Sequence, residues 1–564
     1  MKGGAPRSTV AFVTVLLFST AVSAAPGAPT PGQVQSTLPK QPVQPKKAPP
    51  PAISNAPVTP SGVAPGGAAV KVAGFSIEGN SVIPSDVLQA QVAGYVGQSL
   101  TLAQLYDVAD VLTRYYRAQG YGLAYVSLPA QTLKGGTVRL QVIEGKIGTV
   151  SVQGNTRTRT RVLERRAGSL RPGEVYTNAD AERAVLQMDA LPGVTARAVL
   201  SPGSDFGTSN VLFNVDEHPY AADVSVDDYG RAAIGRWRVN GNVFINGLTG
   251  SGDQLLASVT HAEGNLLNYG RLNYQLPTGD SSELSFGYNR AHYRVGQGPF
   301  AALGISGSTQ NGNVNWQDDV ERTREETLNW GVGVNHNTSK NEVSGNTQVT
   351  TNITLLQLTM LYNRQREDQS YYTLSGSLWT NGRHNDGSSN SAERLRVELD
   401  GNYFTPMGER WQLTAQGTLT YSVDPLVDAD KYSLGGPGNV RGFQSAEIRG
   451  DSGVFGSVEV LRSLTTSPSF PLAWGLFWDA GKVWSKSSDP QSTNYGVRDS
   501  TGIASLGTEL QLQPSLTGWN ARLQFAWAVG GYRPSDDVST AAVALGAKPA
   551  DRGPHIWFTL GKSF

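Results

Sequence analysis

The chain has 564 residues, enough for several domains. Its 46 Lys+Arg balance 46 Asp+Glu, which argues against a general nucleic-acid binder with the usual basic excess. It has no cysteine, which excludes disulfides and thiolate metal sites.

Met1 to Ala24 reads as a secretory signal peptide, residues 1–24. Lys2 and Arg7 form a basic start, and the apolar run Val10 to Val22 follows. That run is shorter than the ~20 residues a spanning helix needs. Val22-Ser23-Ala24 offers small residues for cleavage after Ala24. Residues 25–70 are rich in Pro, Ala, Gly and Gln, densest at Pro49-Pro50-Pro51. Such a stretch cannot bury a core and samples extended polyproline conformations. It reads as a periplasmic linker, either a spacer or a recruitment segment for another protein, and its prolines disfavour a helix.

Two α+β units are expected next, at residues 71–146 and 147–217. Phe75-Ser76-Ile77-Glu78-Gly79-Asn80 is repeated as Val150-Ser151-Val152-Gln153-Gly154-Asn155, each a short strand ending in a Gly-Asn turn. In the first unit Leu102, Leu105, Val108, Ala109, Leu112 and Tyr116 recur at helical spacing behind a Thr101 cap. Ala181, Ala184, Val185 and Met188 do so in the second. Strands Leu123 to Leu128 and Val138 to Ile143 close the first unit; Ala196 to Leu200 and Val211 to Val215 close the second. The order is β-α-α-β-β, twice.

From residue 218 to 564 helical periodicity gives way to alternation. Trp411, Leu413, Ala415, Leu419 and Tyr421 oppose Gln412, Thr414, Gln416, Thr418 and Thr420. A soluble antiparallel sheet also alternates, but here the polar faces carry repeated charge and aromatics stand near strand ends. No segment after the signal peptide has 18 consecutive apolar residues, so a membrane crossing requires a closed barrel. Connections alternate between short ones (247–252, 277–281, 365–369, 405–409, 514–518) and long polar ones (380–393, 422–450, 483–500, 530–554). That is the outer-membrane plan, with about 16 strands. The terminal Phe564 resembles the C-terminal signal by which such barrels are recognised for insertion.

The connection 422–450 contains Gly438-Asn439-Val440-Arg441-Gly442-Phe443, and Phe477-Trp478-Asp479-Ala480-Gly481 follows two strands later. Period two sends Trp474, Leu476 and Trp478 to the lipid and Phe477, Asp479 and Gly481 to the lumen. Asp479 can therefore partner Arg441 if the loop folds inward. Phe443 either packs in the lumen or stiffens the loop tip.

These paired motifs resemble the Val-Arg-Gly-aromatic loop and Phe-x-Asp-x-Gly strand of two-partner secretion translocators, in the superfamily of the barrel-assembly insertase. The repeated units resemble polypeptide-transport-associated (POTRA) domains. Leu112-Thr113-Arg114-Tyr115-Tyr116-Arg117 with Gly120-Tyr121 and Val142-Ile143-Glu144-Gly145 is similar to the first such domain of haemolysin- and haemagglutinin-type transporters. The resemblance implies a mainly β protein: two POTRA domains, then a 16-stranded transmembrane antiparallel β-barrel with an inward-folded loop whose Arg441 meets Asp479. It also implies an outer-membrane location, with the N-terminal domains in the periplasm. The implied role is export of an unfolded partner exoprotein of the haemolysin, adhesin or toxin type. Other expected partners are the barrel-assembly machinery during insertion and outer-membrane lipids. Family members often begin with an amphipathic plug helix, which the Pro-rich stretch here does not predict.

Two alternatives are an outer-membrane insertase and a passive porin, the latter having no need of the repeats. Catalysis and cofactors are not expected: the six histidines are scattered, and no Gly-x-Ser-x-Gly elbow occurs.

Overall fold

The computed structural model describes residues 29–39, 53–54 and 69–564, save 133–134, 299, 384–391, 466, 468, 487–499, 514–515 and 532–553. The expected cleavage site at Ala24 lies outside them.

The first α+β unit contains strands Gly74–Glu78 (β3), Tyr125–Ser127 (β5) and Thr137–Ile143 (β6), with two-residue strands Val70–Lys71 (β2) and Ser99–Leu100 (β4) pairing beside them. β3 runs parallel to β6 and β5 antiparallel to it. Helices Ser85–Val92 (α2) and Leu102–Ala118 (α3) cover the sheet. Thr101 caps α3 in a reciprocal box with Gln104, and Leu105, Val108, Leu112 and Tyr116 enter the core. The second unit repeats the plan with Lys146–Gln153 (β7), helices Thr160–Arg166 (α4) and Asn178–Asp189 (α5), then Val194–Pro202 (β8) and Thr208–Glu217 (β9).

The repeat extends to its polar joints. Asn80 donates to the carbonyl of Ile83, and Asn155 to that of Thr158. Glu144 accepts from the backbone of Ser81 (2.6 Å) and Val82 (2.9 Å) and from the Tyr116 hydroxyl (3.1 Å). Glu217 accepts from the backbone of Thr156 (2.6 Å), Arg157 (2.6 Å) and Thr158 (2.9 Å). One carboxylate per unit thus ties the last strand to the loop after the Gly-Asn turn. Burial pushes the Glu144 and Glu217 carboxyls up, but these hydrogen bonds outweigh it and hold both below the ordinary carboxylate range.

Sixteen strands close into one antiparallel barrel. They are Tyr220–Asp227 (β10), Arg238–Asn246 (β11), Gln254–Ala262 (β12), Leu267–Pro277 (β13), Ser282–Arg294 (β14), Ile305–Arg322 (β15), Glu326–Val343 (β16), Asn346–Gln365 (β17), Tyr371–Thr380 (β18), Arg396–Met407 (β19), Trp411–Ser422 (β20), Ser452–Ser463 (β23), Leu472–Trp484 (β24), Ser500–Leu512 (β25), Trp519–Gly531 (β26) and His555–Ser563 (β27). Between β20 and β23 the loop forms a small hairpin, Tyr432–Leu434 (β21) with Ile448–Gly450 (β22). Closure joins β10 to β27 over Asp223–Asp227, and the Phe564 N–H donates to Ala222 at 2.8 Å just beyond. Val259, Leu272, Leu356, Leu476 and Trp478 are exposed on the outer face, while Phe477 and Asp479 on the same strand as Trp478 are buried. Outward apolar and inward polar alternation is what a lipid-facing barrel requires.

The expectation that prolines keep residues 25–70 free of helix needs correction. Pro31–Thr37 forms a helix (α1) inside the barrel, and Ile53–Ser54 (β1) adds a parallel strand to the edge of β8. Its one proline, Pro31, stands at the first helical position, where no N–H is needed. Thr30 and Gln33 form a capping box at 3.3 and 3.2 Å. A seven-residue helix is marginal on propensity alone; burial in the lumen supplies the rest.

Candidate functional site

The loop between β20 and β23 folds into the lumen and ends in a charged socket. Arg441 forks Asp479: its Nε donates to Oδ2 at 2.9 Å and its Nη2 to Oδ1 at 2.8 Å. Nη1 reaches Glu459 at 2.6 Å and Glu509 at 3.4 Å. Arg522 stands 3.8 Å from Glu509. The guanidinium stacks 3.3 Å above the Phe477 ring, a geometry an ammonium cannot reproduce. The Trp557 indole, on β27, donates to the Arg441 carbonyl at 2.7 Å.

Strand register assembles this grid. Asp479 stands opposite Ser457 on one side and Ser505 on the other, and both hydroxyls donate to it, at 2.7 and 3.0 Å. Phe477 stands opposite Glu459 and Gly507. A Cβ on Gly507 would overlap the Phe477 ring, so glycine leaves the seat for that ring. Gly481 leaves room for Leu434 of the loop, whose Cδ1 would lie 2.6 Å from an added Cβ. Gly442 lets the loop tip meet the wall: a Cβ there would fall 2.7 Å from Ser505 Cβ and 2.9 Å from the backbone at Trp527 and Ala528. Val440 and Phe443 pack in the lumen with Leu434, Ile448, Phe455, Val483 and Ile503. Of the two readings for Phe443, packing is the one the structure shows.

The structure therefore brings Val440, Arg441, Gly442, Phe443, Phe477, Asp479 and Gly481 into one cluster. Phe564 lies apart at the closing seam. Glu459, Glu509 and Arg522 were not anticipated. Their lumen orientation follows from period two, but only the register places them around Arg441.

A second lumen element, α1, was also missed. Val34 is fully buried among Ile234, Tyr269, Tyr293 and Ile305. The Gly32 N–H donates to Asp428 Oδ2 at 2.8 Å. Arg449 binds Asp428 (2.6 Å) and Thr30 (3.2 Å), so one guanidinium ties helix and inward loop together. Arg238, paired with Asp227 at 2.8 Å, holds the Thr37 carbonyl at 2.7 Å. On the periplasmic side the second α+β unit is bolted to barrel turns. Arg166 donates to the carbonyls of Gln187 (2.7 Å) and Asp280 (2.8 Å), and Arg324 pairs with Glu182 at 2.7 Å.

A barrel with a loop locked across its lumen and paired α+β modules beneath it defines a transmembrane transporter of the POTRA–barrel class. Residues 207–510, more than half of the chain, match the family described as haemolysin secretion/activation protein ShlB/FhaC/HecB, and residues 70–145 match the POTRA domain of ShlB type. The chain belongs to that family. It is an outer-membrane translocator with its POTRA domains in the periplasm. The heme/hemopexin transporter protein HuxB of Haemophilus influenzae is 26% identical over 450 residues, covering 76% of this chain and 78% of that one. The outer membrane transporter CdiB of Dickeya dadantii is 25% identical over 391 residues, covering 65% and 67%. The solved structure of CdiB from Escherichia coli superposes with a TM-score of 0.67 at 19% identity, covering 90% of this chain and 93% of that one, a likeness of fold.

Proposed function

We propose that this translocator exports one dedicated partner exoprotein and is shut at rest by two devices, the docked loop and α1. The observation that carries the reading is the socket. A buried guanidinium faces three carboxylates inside the lumen, a costly arrangement to assemble for a barrel that only needs to stand. It makes a two-state element, docked or released. A passive porin keeps an aqueous channel, whereas here α1 and the loop fill the lumen where they pack.

The POTRA domains receive the exoprotein as an extended segment by strand addition. The β8 edge already accepts a strand in this way, from the chain's own Ile53–Ser54. An incoming segment at that edge takes the place of β1, and β1 lies on the same linker as α1, so the capture site below and the plug above belong to one covalent stretch. The exposed apolar outer face contacts outer-membrane lipid, and Phe564 serves the barrel-assembly machinery as its recognition residue.

The experiment is gene deletion in the host. Loss of one large secreted protein, restored by wild type and not by Arg441→Ala, supports dedicated export with a working loop. Unchanged secretion with a general fall in outer-membrane proteins points instead to an insertase and removes the proposal.

A further inference from the structure

The inner wall of β14–β16 carries a block of carboxamides. On β15 the lumen positions Asn311, Asn313 and Asn315 follow one another at every second residue. Asn311 stands opposite Asn289 on β14 and Asn337 on β16, and Asn313 opposite Asn335. They bond to one another: Asn289 to Asn311 (3.3 Å), Asn313 to Asn311 (3.0 Å), Asn315 to Asn313 (2.9 Å), and Asn311 to Asn337. From Thr309 to Gln317 on β15, and from Gly331 to Ser339 on β16, no lumen-facing position is charged. The opposite wall is the reverse, with Glu459, Asp479 and Glu509 gathered around Arg441.

The block has two defined ends. Toward the periplasm it borders a cavity of about 230 Å³ lined by Asn273, Asn313, Asn315, Gln317 and Gln357 and by one carboxylate, Glu283 of β14, which accepts from the Gln317 amide at 2.5 Å. Toward the outside Asn337 donates to Asp430 at the base of the inward loop (3.4 Å), and Ile305 of β15 packs with Val34 of α1. The amide-lined face of β15 and β16 thus leads from the periplasmic cavity, with Glu283 at its mouth, to the plug.

We propose that this amide wall is the track along which the exported polypeptide slides, bound through its backbone in extended form. The proposal rests on the translocation reading above. An unfolded chain presents one N–H and one C=O per residue, whatever its sequence. A carboxamide offers both a donor and an acceptor, so it can pair with any backbone. Carrying no charge, it holds neither acidic nor basic side chains. Asparagines at every second residue of β15 repeat at about 6.8 Å, the same interval as like-facing groups of an extended chain laid alongside. Each amide already has an amide partner, so a passing backbone group exchanges one neutral hydrogen bond for another. The exchange is near-balanced, which allows movement without trapping.

The chain has no cysteine, so single cysteines are clean probes. The exoprotein lost on gene deletion is fused to a folded domain that arrests it in transit and carries one cysteine in the arrested segment. Disulfide capture is compared at Asn313→Cys, Asn315→Cys and, on the lumen face of β20, Gln416→Cys. The expected result is capture at 313 and 315 roughly tenfold above 416, with secretion by Asn311→Leu/Asn313→Leu/Asn315→Leu reduced by a similar factor and the triple Ser variant near wild type. Equal or stronger capture at 416 overturns the track. If the triple Leu barrel does not assemble, the cysteine comparison alone decides. Failure of the parent reading looks different: deletion of the gene then removes no exoprotein at all.

Discussion

Arg441→Ala removes the one side chain among the described residues that touches Asp479, Glu459 and Glu509 together. Asp479 and Glu509 side chains are 0% exposed, so solvent does not repair the loss. Arg522, 3.8 Å from Glu509, stays beside that one of the three carboxylates. Breaking a buried pair in this way costs about 3–5 kcal/mol. At about 1.4 kcal/mol per tenfold, the docked loop is disfavoured by roughly 10²- to 4 × 10³-fold. The barrel ladder is untouched, so the barrel stays folded while the loop leaves its seat. Arg441→Lys keeps the charge but loses the fork on Asp479 and the stack on Phe477, and falls between wild type and Ala. Val440 is fully buried beside Arg441, so Val440→Cys reports docking through its maleimide-labelling rate. Labelling is expected to rise about a hundredfold or more in the Arg441→Ala background. A rate equal to that of the Arg441 parent would refute the argument that this socket holds the loop.

Other outcomes follow from the same contacts. A Cβ on Gly32 would overlap the Asp428 carbonyl, so Gly32→Leu expels α1 and raises single-channel conductance in planar bilayers; unchanged conductance means α1 does not restrict the pore. Arg166→Ala removes hydrogen bonds to carbonyls worth about 1.5–3 kcal/mol and speeds amide exchange in the turn at 278–281, whereas unchanged exchange denies Arg166 its clamping role. Glu144→Ala loses a similar amount, seen as faster exchange across β3 and β6 with the barrel unaffected. Both Glu144 and Glu217 are held below their ordinary value of 4.5. Their contribution is therefore complete above about pH 4.5 and declines as pH falls through the folded value. Exchange in the two POTRA domains should rise on acidification below that point and level off above it; a rise on the alkaline side contradicts the assignment.

Much of this protein was legible in its residue order, because the deciding pattern is local. Period two separates Trp478 from Phe477 and Asp479 whatever the strand pairs with, and short and long connections assign the two ends of a barrel. The Gly-Asn repeat likewise marked both POTRA units, whereas the carboxylate that ties each one, Glu144 or Glu217, emerged only from the structure. What the sequence could not decide is non-local. Glu459 and Glu509 are 50 residues apart in number, and only strand register puts both beside Arg441. The expectation of no helix in the linker failed for a related reason. Proline content predicts an isolated chain, but α1 has its one proline where a helix tolerates it and is stabilised by burial of Val34 and by Arg449, 415 positions away. Local chemistry fixed the faces of the strands; closure of the barrel decided which of those faces meet.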